Sequence, residues 1–258
     1  MNAIVTAGGI PQPGEPLYEY TLGASKAMLD VAGKPMIQWV IDALEGAQTI
    51  DGIVIIGLPP ESEVKSTKVT ARIPNQGGMV DNIRAGVNKV MEQKSGAEHV
   101  LVVSSDIPTI TAEMVDWVVN TAMQTDLEAY YNVIERSVME KRFPGSKRSY
   151  TRLRDMEVCG GDMNLIKSSL VTQNDELWNK LVAARKNVLK QAALIGYDTL
   201  FLLFFRLVDL DSAVERATKS LKLTGKAILC PYAEVGMDVD KPFQLELVRA
   251  DFARQQTK

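Results

Sequence analysis

Residues that staple or metallate small proteins are scarce in this chain: two cysteines, Cys159 and Cys230, and one histidine, His99, in 258 residues. The cysteines lie far apart without CxxC or CxxH spacing, which excludes a disulfide framework and a structural zinc centre and leaves both as small buried residues. One histidine supplies neither a zinc cage nor a strong case for general-base chemistry, and His99, placed just ahead of an apolar run, reads as the start of a strand. Long hydrophobic runs are lacking too. The most apolar stretch, LFLLFFRLV at 200–208, is broken by Arg206 and flanked by Asp198 and Asp209, well short of the ~20 apolar residues of a membrane span. A buried helix is expected there, with a homodimer contact or a membrane-touching face through 200–208 as the alternatives. Excess positive charge is absent: the formal charge is −3 and the isoelectric point about 5.4, which speaks against a nucleic-acid partner. No charged leader with a cleavage site opens the chain, so a cytoplasmic location is expected.

What is present is the material of a large α/β core. Hydrophobic residues make up 46% and charged residues 24%, ordinary globular values in a chain long enough to bury a core without staples. Residues 2–6 form an apolar run ending in glycines, and 36–44 carry apolar residues at helix-face spacing. GIVIIGL at 52–58, closed by Pro59 and Pro60, has the β-branched pattern of a strand buried in a parallel sheet. Helical spacing returns over 79–93, and HVLVVS at 99–104 is the next buried strand. The alternation predicts an α/β fold with a three-layer, doubly wound, mainly parallel sheet and right-handed crossovers. Farther along, Thr111 is placed to cap a helix over 112–123, and 129–135 reads as a strand. Residues 142–154 form a basic, turn-rich loop leading into a strand at 150–153, and 226–231 a last short strand. No repeat, low-complexity tract or linker divides the chain, so 1–258 is expected as one domain, with an added helical segment at about 177–223.

Several residues sit where such a fold does chemistry. Gly8 and Gly9 follow the first strand and allow main-chain N–H groups to approach a phosphate. The loop is neither GxGxxG nor a Walker A sequence. Asp106 follows HVLVVSS and precedes Ile107-Pro108, at the carboxyl end of a buried strand where open α/β sheets bind ligands. Asp238 and Asp240 in GMDVDKP are two apart, hence on one face of an extended segment, although Asp240 also suits the N-cap of a helix starting at Pro242. Gln76, Gly77 and Gly78 open the helix at 79 and suit a base or ribose contact. Arg142, Lys147, Arg148, Arg152 and Arg154 concentrate positive charge ahead of CGGDMN at 159–164. Such a rim suits an acceptor phosphate or pyrophosphate. Gly160-Gly161 by itself is a turn signal.

The strand, the AGG loop, SKAMLDVAGKPM and the following amphipathic helix together resemble the MobA-like NTP-transferase superfamily of nucleotidyltransferases. Its members include molybdenum-cofactor nucleotidyltransferases, the isoprenoid cytidylyltransferase and sugar-nucleotide pyrophosphorylases. Ala7, Gly8 and Gly9 match its opening, Lys26 its signature lysine, and Gly33, Lys34 and Pro35 its GKP. Ser25 stands where the superfamily has proline, and no arginine follows the glycines closely. The resemblance implies a nucleotide-diphospho-sugar transferase fold, similar to the A-type glycosyltransferase and Rossmann folds. It also implies Mg²⁺-dependent transfer of an NMP group from an NTP to a small phosphorylated or carboxylated acceptor. Lys26 and Asp106 would then be catalytic, and Asp106, Asp238 and Asp240 would face the metal, with Asp238 favoured over Asp240. Gly160, Gly161 and Asn164 would face the acceptor together with Lys147 and Arg148, whereas Lys34, in a turn before a helix, reads as mainly structural or rim. A nucleotide-sugar glycosyltransferase and a non-catalytic nucleotide-binding relative are the alternatives.

Overall fold

The computed structural model describes residues 1–59, 61–94, 96, 98–184, 202–203 and 205–256. The strands are β1 (Asn2–Thr6), β2 (Asp30–Val31), β3 (Lys34–Pro35), β4 (Gly52–Ile56), β5 (Val69–Ile73), β6 (His99–Ser104), β7 (Ala129–Glu135), β8 (Thr151–Arg152), β9 (Glu157–Gly160), β10 (Met163–Lys167) and β11 (Gly225–Leu229). The described helices are α1 (Tyr18–Thr21), α2 (Met36–Gly46), α3 (Met79–Gln93), α4 (Ala112–Ala122), α5 (Arg136–Arg142), α6 (Ser168–Thr172), α7 (Asp175–Ala184), α8 (Leu210–Leu221) and α9 (Pro242–Gln256).

Apolar runs became strands because both faces of the sheet are covered. In the central strands, alternate residues enter opposite cores. Ala3, Val5, Ile53, Ile55, Leu101 and Val103 face the layer that holds α2 and α4. Ile4, Val54, Ile56 and Val100 face Val87 and Val90 of α3, Val171 and Trp178. This is the three-layer arrangement that the alternation predicts. Gly86 brings α3 against the sheet, since a Cβ there would stand 2.6 Å from both Ile4 Cγ2 and Ile56 Cδ1.

The main sheet runs β5-β4-β1-β6-β10-β7-β9-β8, with β11 also paired to β7. Ladders β5-β4, β4-β1, β1-β6 and β7-β11 are parallel and carry most of the pairing. The ladders made by β10, β9 and β8 are antiparallel. Strands β10 and β9 share one edge of β7, where three steps from Tyr130 to Val133 match five from Leu165 back to Gly160. The two extra residues, Gly161 and Asp162, form a bulge rather than the turn their glycines suggest.

Other boundaries shift modestly. The 79–93 helix is found as expected, whereas β11 starts and ends earlier than 226–231 and the 150–153 strand shrinks to β8. Strand β5 was missed because its half-exposed sequence, VTARI, has no continuous apolar run. The short helix α5 fills 136–142, between the expected strand and the expected basic loop, and takes Arg142 from the loop. Thr111 occupies the N-cap of α4 without a side-chain cap bond. GKP belongs to the β2–β3 hairpin, whose two turn residues, Ala32 and Gly33, have φ of 52° and 84°. Lys34 Nζ lies 2.7 Å from Asp42 and 4.1 Å above the Trp39 ring, a structural placement. His99 starts β6, buried, with Nε2 2.8 Å from the Leu127 carbonyl.

Helices α7 and α8 lie at the two ends of the 177–223 segment. Much of the apolar 200–208 stretch, and with it the proposed homodimer contact, falls outside the described residues. The described part is not one buried helix: residues 205–206 form a turn, Phe205 and Leu207 are exposed, and Val208 packs with Leu153 and Val158. Among the described residues no helix is long and apolar enough to cross a membrane. Both cysteines are buried free thiols.

Candidate functional site

The cleft lies where β1, β4 and β6 end. Past β1, Ala7 is buried and donates its N–H to the Ile56 carbonyl, leaving Gly8 and Gly9 at the surface of the sheet's carboxyl end. Gly57, with φ of 100°, follows β4 and abuts this loop: a Cβ on it would stand 2.5 Å from Gly8 N and Cα. Ser25, in the superfamily's proline position, ties the next segment down. Its Oγ donates to the Ala7 carbonyl (3.1 Å) and accepts the Ala27 N–H (3.3 Å), capping the 3₁₀ turn Lys26–Met28. The Lys26 N–H then bonds to the Gly9 carbonyl (2.9 Å), and its aliphatic chain covers Gly9, where a Cβ would meet Lys26 Cε at 3.2 Å.

Lys26 Nζ is the centre of the cleft. It lies 2.5 Å from Asp106 Oδ2 and 2.6 Å from Asp240 Oδ1. Burial works against its charge, but Asp106 and Asp240 outweigh burial and raise the ammonium's pKa above its ordinary value. Asp106 is 5% exposed, accepts from Ser104 Oγ, and its carbonyl takes the Val239 N–H at 3.0 Å. That bond anchors the 238–240 segment beside β6. Asp240 does not cap α9. Gln244 does that work, its Oε1 accepting the N–H groups of Asp240 (3.0 Å) and Lys241 (2.9 Å), which leaves the Asp240 carboxylate for Lys26.

Next to this trio, Asp238 pairs with the guanidinium of Arg148. Burial opposes the charge on Arg148, yet Asp238 holds its pKa above the ordinary value. For Asp238, burial with nearby Asp240 and Asp106 drives the carboxyl upward against the pull of Arg148. Burial also opposes ionisation of Asp240, but Lys26 wins and lowers it. Asp162, aimed here by the bulge, is a site residue that its CGGDMN motif does not announce. Burial, followed by repulsion from Asp238 and Asp106, pushes it up to about 8. Its buried Oδ2 has no hydrogen-bond partner among the described residues, the nearest cation being Arg148 Nη2 at 3.7 Å.

Four carboxylates therefore crowd two side-chain cations. Among the described residues no three such groups are gathered into a ready metal cage. The donor set nonetheless fits a hard divalent cation: all-oxygen ligands, an orphaned carboxylate oxygen, and acids held up by one another's charge.

The remaining expected residues divide. Gly8, Gly9, Lys26, Gly77, Gly78 and Asp106 all line one cavity of about 270 Å³. Gln76 does not line it: its side chain folds back onto the Pro74 carbonyl (2.7 Å). Asn75 and Asn82, which hold this loop, were not singled out; their polar character at a helix start was the available signal. On the other side, Gly160 lies under the Tyr131 hydroxyl, with no space for a Cβ. Asn164 supports the bulge, its Oδ1 accepting the Asn132 N–H (2.7 Å) and its Nδ2 donating to the Gly161 carbonyl (2.8 Å). Of the five basic residues, Arg148 alone reaches the acid cluster. Arg142 pairs with Glu234 and Asp251, Arg152 with Glu157 and Arg154 with Asp209, while Lys147 Nζ lies 5.2 Å above the Phe243 ring.

A glycine loop and a lysine–carboxylate cluster meet at the carboxyl end of a mainly parallel sheet, an arrangement suited to a nucleotidyltransferase. Residues 20–193 match the MobA-like NTP transferase domain, and the chain belongs to that family. A hypothetical transferase structure from Thermus thermophilus superposes with a TM-score of 0.80 at 32% identity, over 95% of this chain and 98% of that one. A probable molybdenum cofactor guanylyltransferase of Thermococcus gammatolerans is 24% identical over 153 residues, 53% of this chain and 77% of that protein. CMP:2-keto-3-deoxy-manno-octonic acid synthetase, solved with CTP, shares the fold with a TM-score of 0.61 at 16% identity, over 99% of this chain and 98% of that one.

Proposed function

We propose that this protein transfers an NMP group from an NTP to a small phosphorylated or carboxylated acceptor and releases pyrophosphate. The reading rests on one observation above others: Lys26 Nζ is held within 2.6 Å of Asp106 and Asp240, directly against the Gly8–Gly9 loop. In such a transfer an acceptor oxygen bonds to the α-phosphorus as the bridging bond to the β-phosphate breaks, and negative charge grows on the departing pyrophosphate. The glycine loop brings main-chain N–H groups to the phosphates, and Lys26 stabilises the charge that develops there. Asp106, Asp238 and Asp240 are the residues that would hold Mg²⁺, with Asp238 the favoured second ligand. The ion would supply charge neutralisation on the phosphates. Gly160, Gly161, Lys147 and Arg148 are assigned to the acceptor side, with Asn164 supporting them. Two buried free thiols suit a reducing, cytoplasmic setting.

The test is pyrophosphate release from each of the four NTPs with Mg²⁺ and a panel of phosphorylated and carboxylated acceptors, run beside thermal shifts with each NTP. One NTP should raise the melting temperature and yield pyrophosphate with one acceptor class. An NTP that stabilises the protein without turnover on any acceptor supports a binding role, and no response to any NTP overturns the nucleotide reading.

A further inference from the structure

The cavity that holds Lys26 and Asp106 is walled on one side by the loop ahead of α3 and the first residue of that helix, with Gly77, Gly78 and Met79 facing it. Two amide side chains shape that loop. Asn82, 4% exposed, accepts the Gln76 N–H at Oδ1 (2.7 Å) and donates from Nδ2 to Asn75 Oδ1 (3.2 Å). Asn75 Oδ1 also accepts the Gly77 N–H (3.0 Å), and Asn75 Nδ2 reaches across to the Gly8 carbonyl (3.2 Å). Gly8 fits closely under the pair: a Cβ there would come within 3.0 Å of both side chains.

Both acceptor directions of Asn75 Oδ1 are thus committed within the protein. Gly78, the N-cap of α3, brings no side chain to its first turn. With the Gly77 N–H taken by Asn75 and the Gly78 carbonyl accepting the Asn82 N–H (2.8 Å), what the loop offers a ligand is the Gly77 carbonyl and the main-chain N–H groups of Gly78 and Met79, together with the 70% exposed thioether of Met79. Main-chain groups distinguish one base edge from another only when they are held in place; a loose loop adapts to each.

We propose that Asn82, acting through Asn75, is a positioning residue that sets which nucleobase the cleft accepts. It does so by locking the main chain of 76–79 to the Gly8–Gly9 loop. This inference rests on the nucleotide reading of the cleft and deepens it.

The experiment measures calorimetric dissociation constants of the full chain for ATP, GTP, CTP and UTP with Mg²⁺, in wild type, Asn82→Ala and Asn75→Ala, with the melting temperature of each. Wild type should prefer one base, and both variants should shrink the ratio between the best NTP and the next by about tenfold, as expected when a hydrogen-bonded base site loses its fixed geometry. A lower melting temperature with the ratio intact is the signature of a merely structural role and overturns the proposal. Should Asn82→Ala not fold, Asn75→Ala, altered at the exposed end of the network, decides alone. Wild type that binds no NTP removes the nucleotide reading itself, whereas selective wild type with equally selective variants removes only this inference.

Discussion

At Lys26 three charges meet in one contact, buried at Asp106 and open to solvent at Asp240, and the balance is left negative because two carboxylates flank a single ammonium. An incoming polyphosphate adds more negative charge, so the lysine and any added cation are what make binding tolerable. Lys26→Met is therefore expected to reduce pyrophosphate release by about 10²–10³-fold, the usual effect of removing one preorganised electrostatic contact, measured as turnover well below the variant's melting temperature. Asp106→Asn should remain folded, since the amide still accepts from Ser104, yet lose its response to Mg²⁺. An unchanged Mg²⁺ titration of activity would end the metal role of Asp106. The lysine was legible because its surrounding motif is local. Asp240 was legible as a candidate acid, but its pairing with Lys26 was not, the two being 214 positions apart, and its competing reading as a helix cap was settled only by Gln244 taking that position. Asp162 was hidden for a related reason: a GG pair signals a turn, and nothing local announces a bulge that aims the next side chain at a cleft.

Among elements, α3 and its sheet contacts carry the clearest consequences. Gly86 allows the helix to lie on β1 and β4, so Gly86→Ala forces Ile4 and Ile56 to move. A cost of about 1–3 kcal/mol is expected from such overpacking, read as a lower urea midpoint with unchanged slope. Gly57→Ala differs in kind, because it meets main chain rather than flexible side chains and sits at φ of 100°. It should cost about 1–3 kcal/mol in backbone strain and, unlike Gly86→Ala, also weaken NTP binding by displacing Gly8, which calorimetry would register. Strand β4 itself was readable as a buried run, and α3 from its spacing alone. Neither pattern indicated that Gly57, just after β4, would touch Gly8, two residues past β1, since that contact depends on β4 lying beside β1.

On the scale of the whole molecule, Arg142 ties three distant parts together. Its guanidinium reaches both oxygens of Asp251 in α9 at 2.7 Å and Glu234 in the 3₁₀ turn Ala233–Gly236 at 2.6 Å. The hydrogen bond from Arg142, against the opposing effect of burial, lowers the Asp251 pKa below its ordinary value. Because the folded value lies below the unfolded one of about 3.9, this contribution to stability is complete above that pH and is lost as the pH falls through the depressed value. Asp251→Asn should therefore destabilise the protein at neutral pH while flattening the acid limb, measured as urea midpoints between about pH 2 and 6. An acid limb as steep as wild type would show that other carboxylates govern it. By itself the sequence determined the alternation of the buried strands β1, β4, β6 and β7 with the helices α2, α3 and α4, the glycine loop and the lysine with its motif. These are local: a strand covered on both faces must be apolar throughout, and a phosphate-friendly turn must be small. The tertiary structure alone decided which acid meets which cation, which of the basic residues face the cleft, and how Asn75 and Asn82 clamp Gly8. Those pairings depend on the β5-β4-β1-β6-β10-β7 order, which sets residues scores of positions apart side by side, and no local pattern encodes that distance.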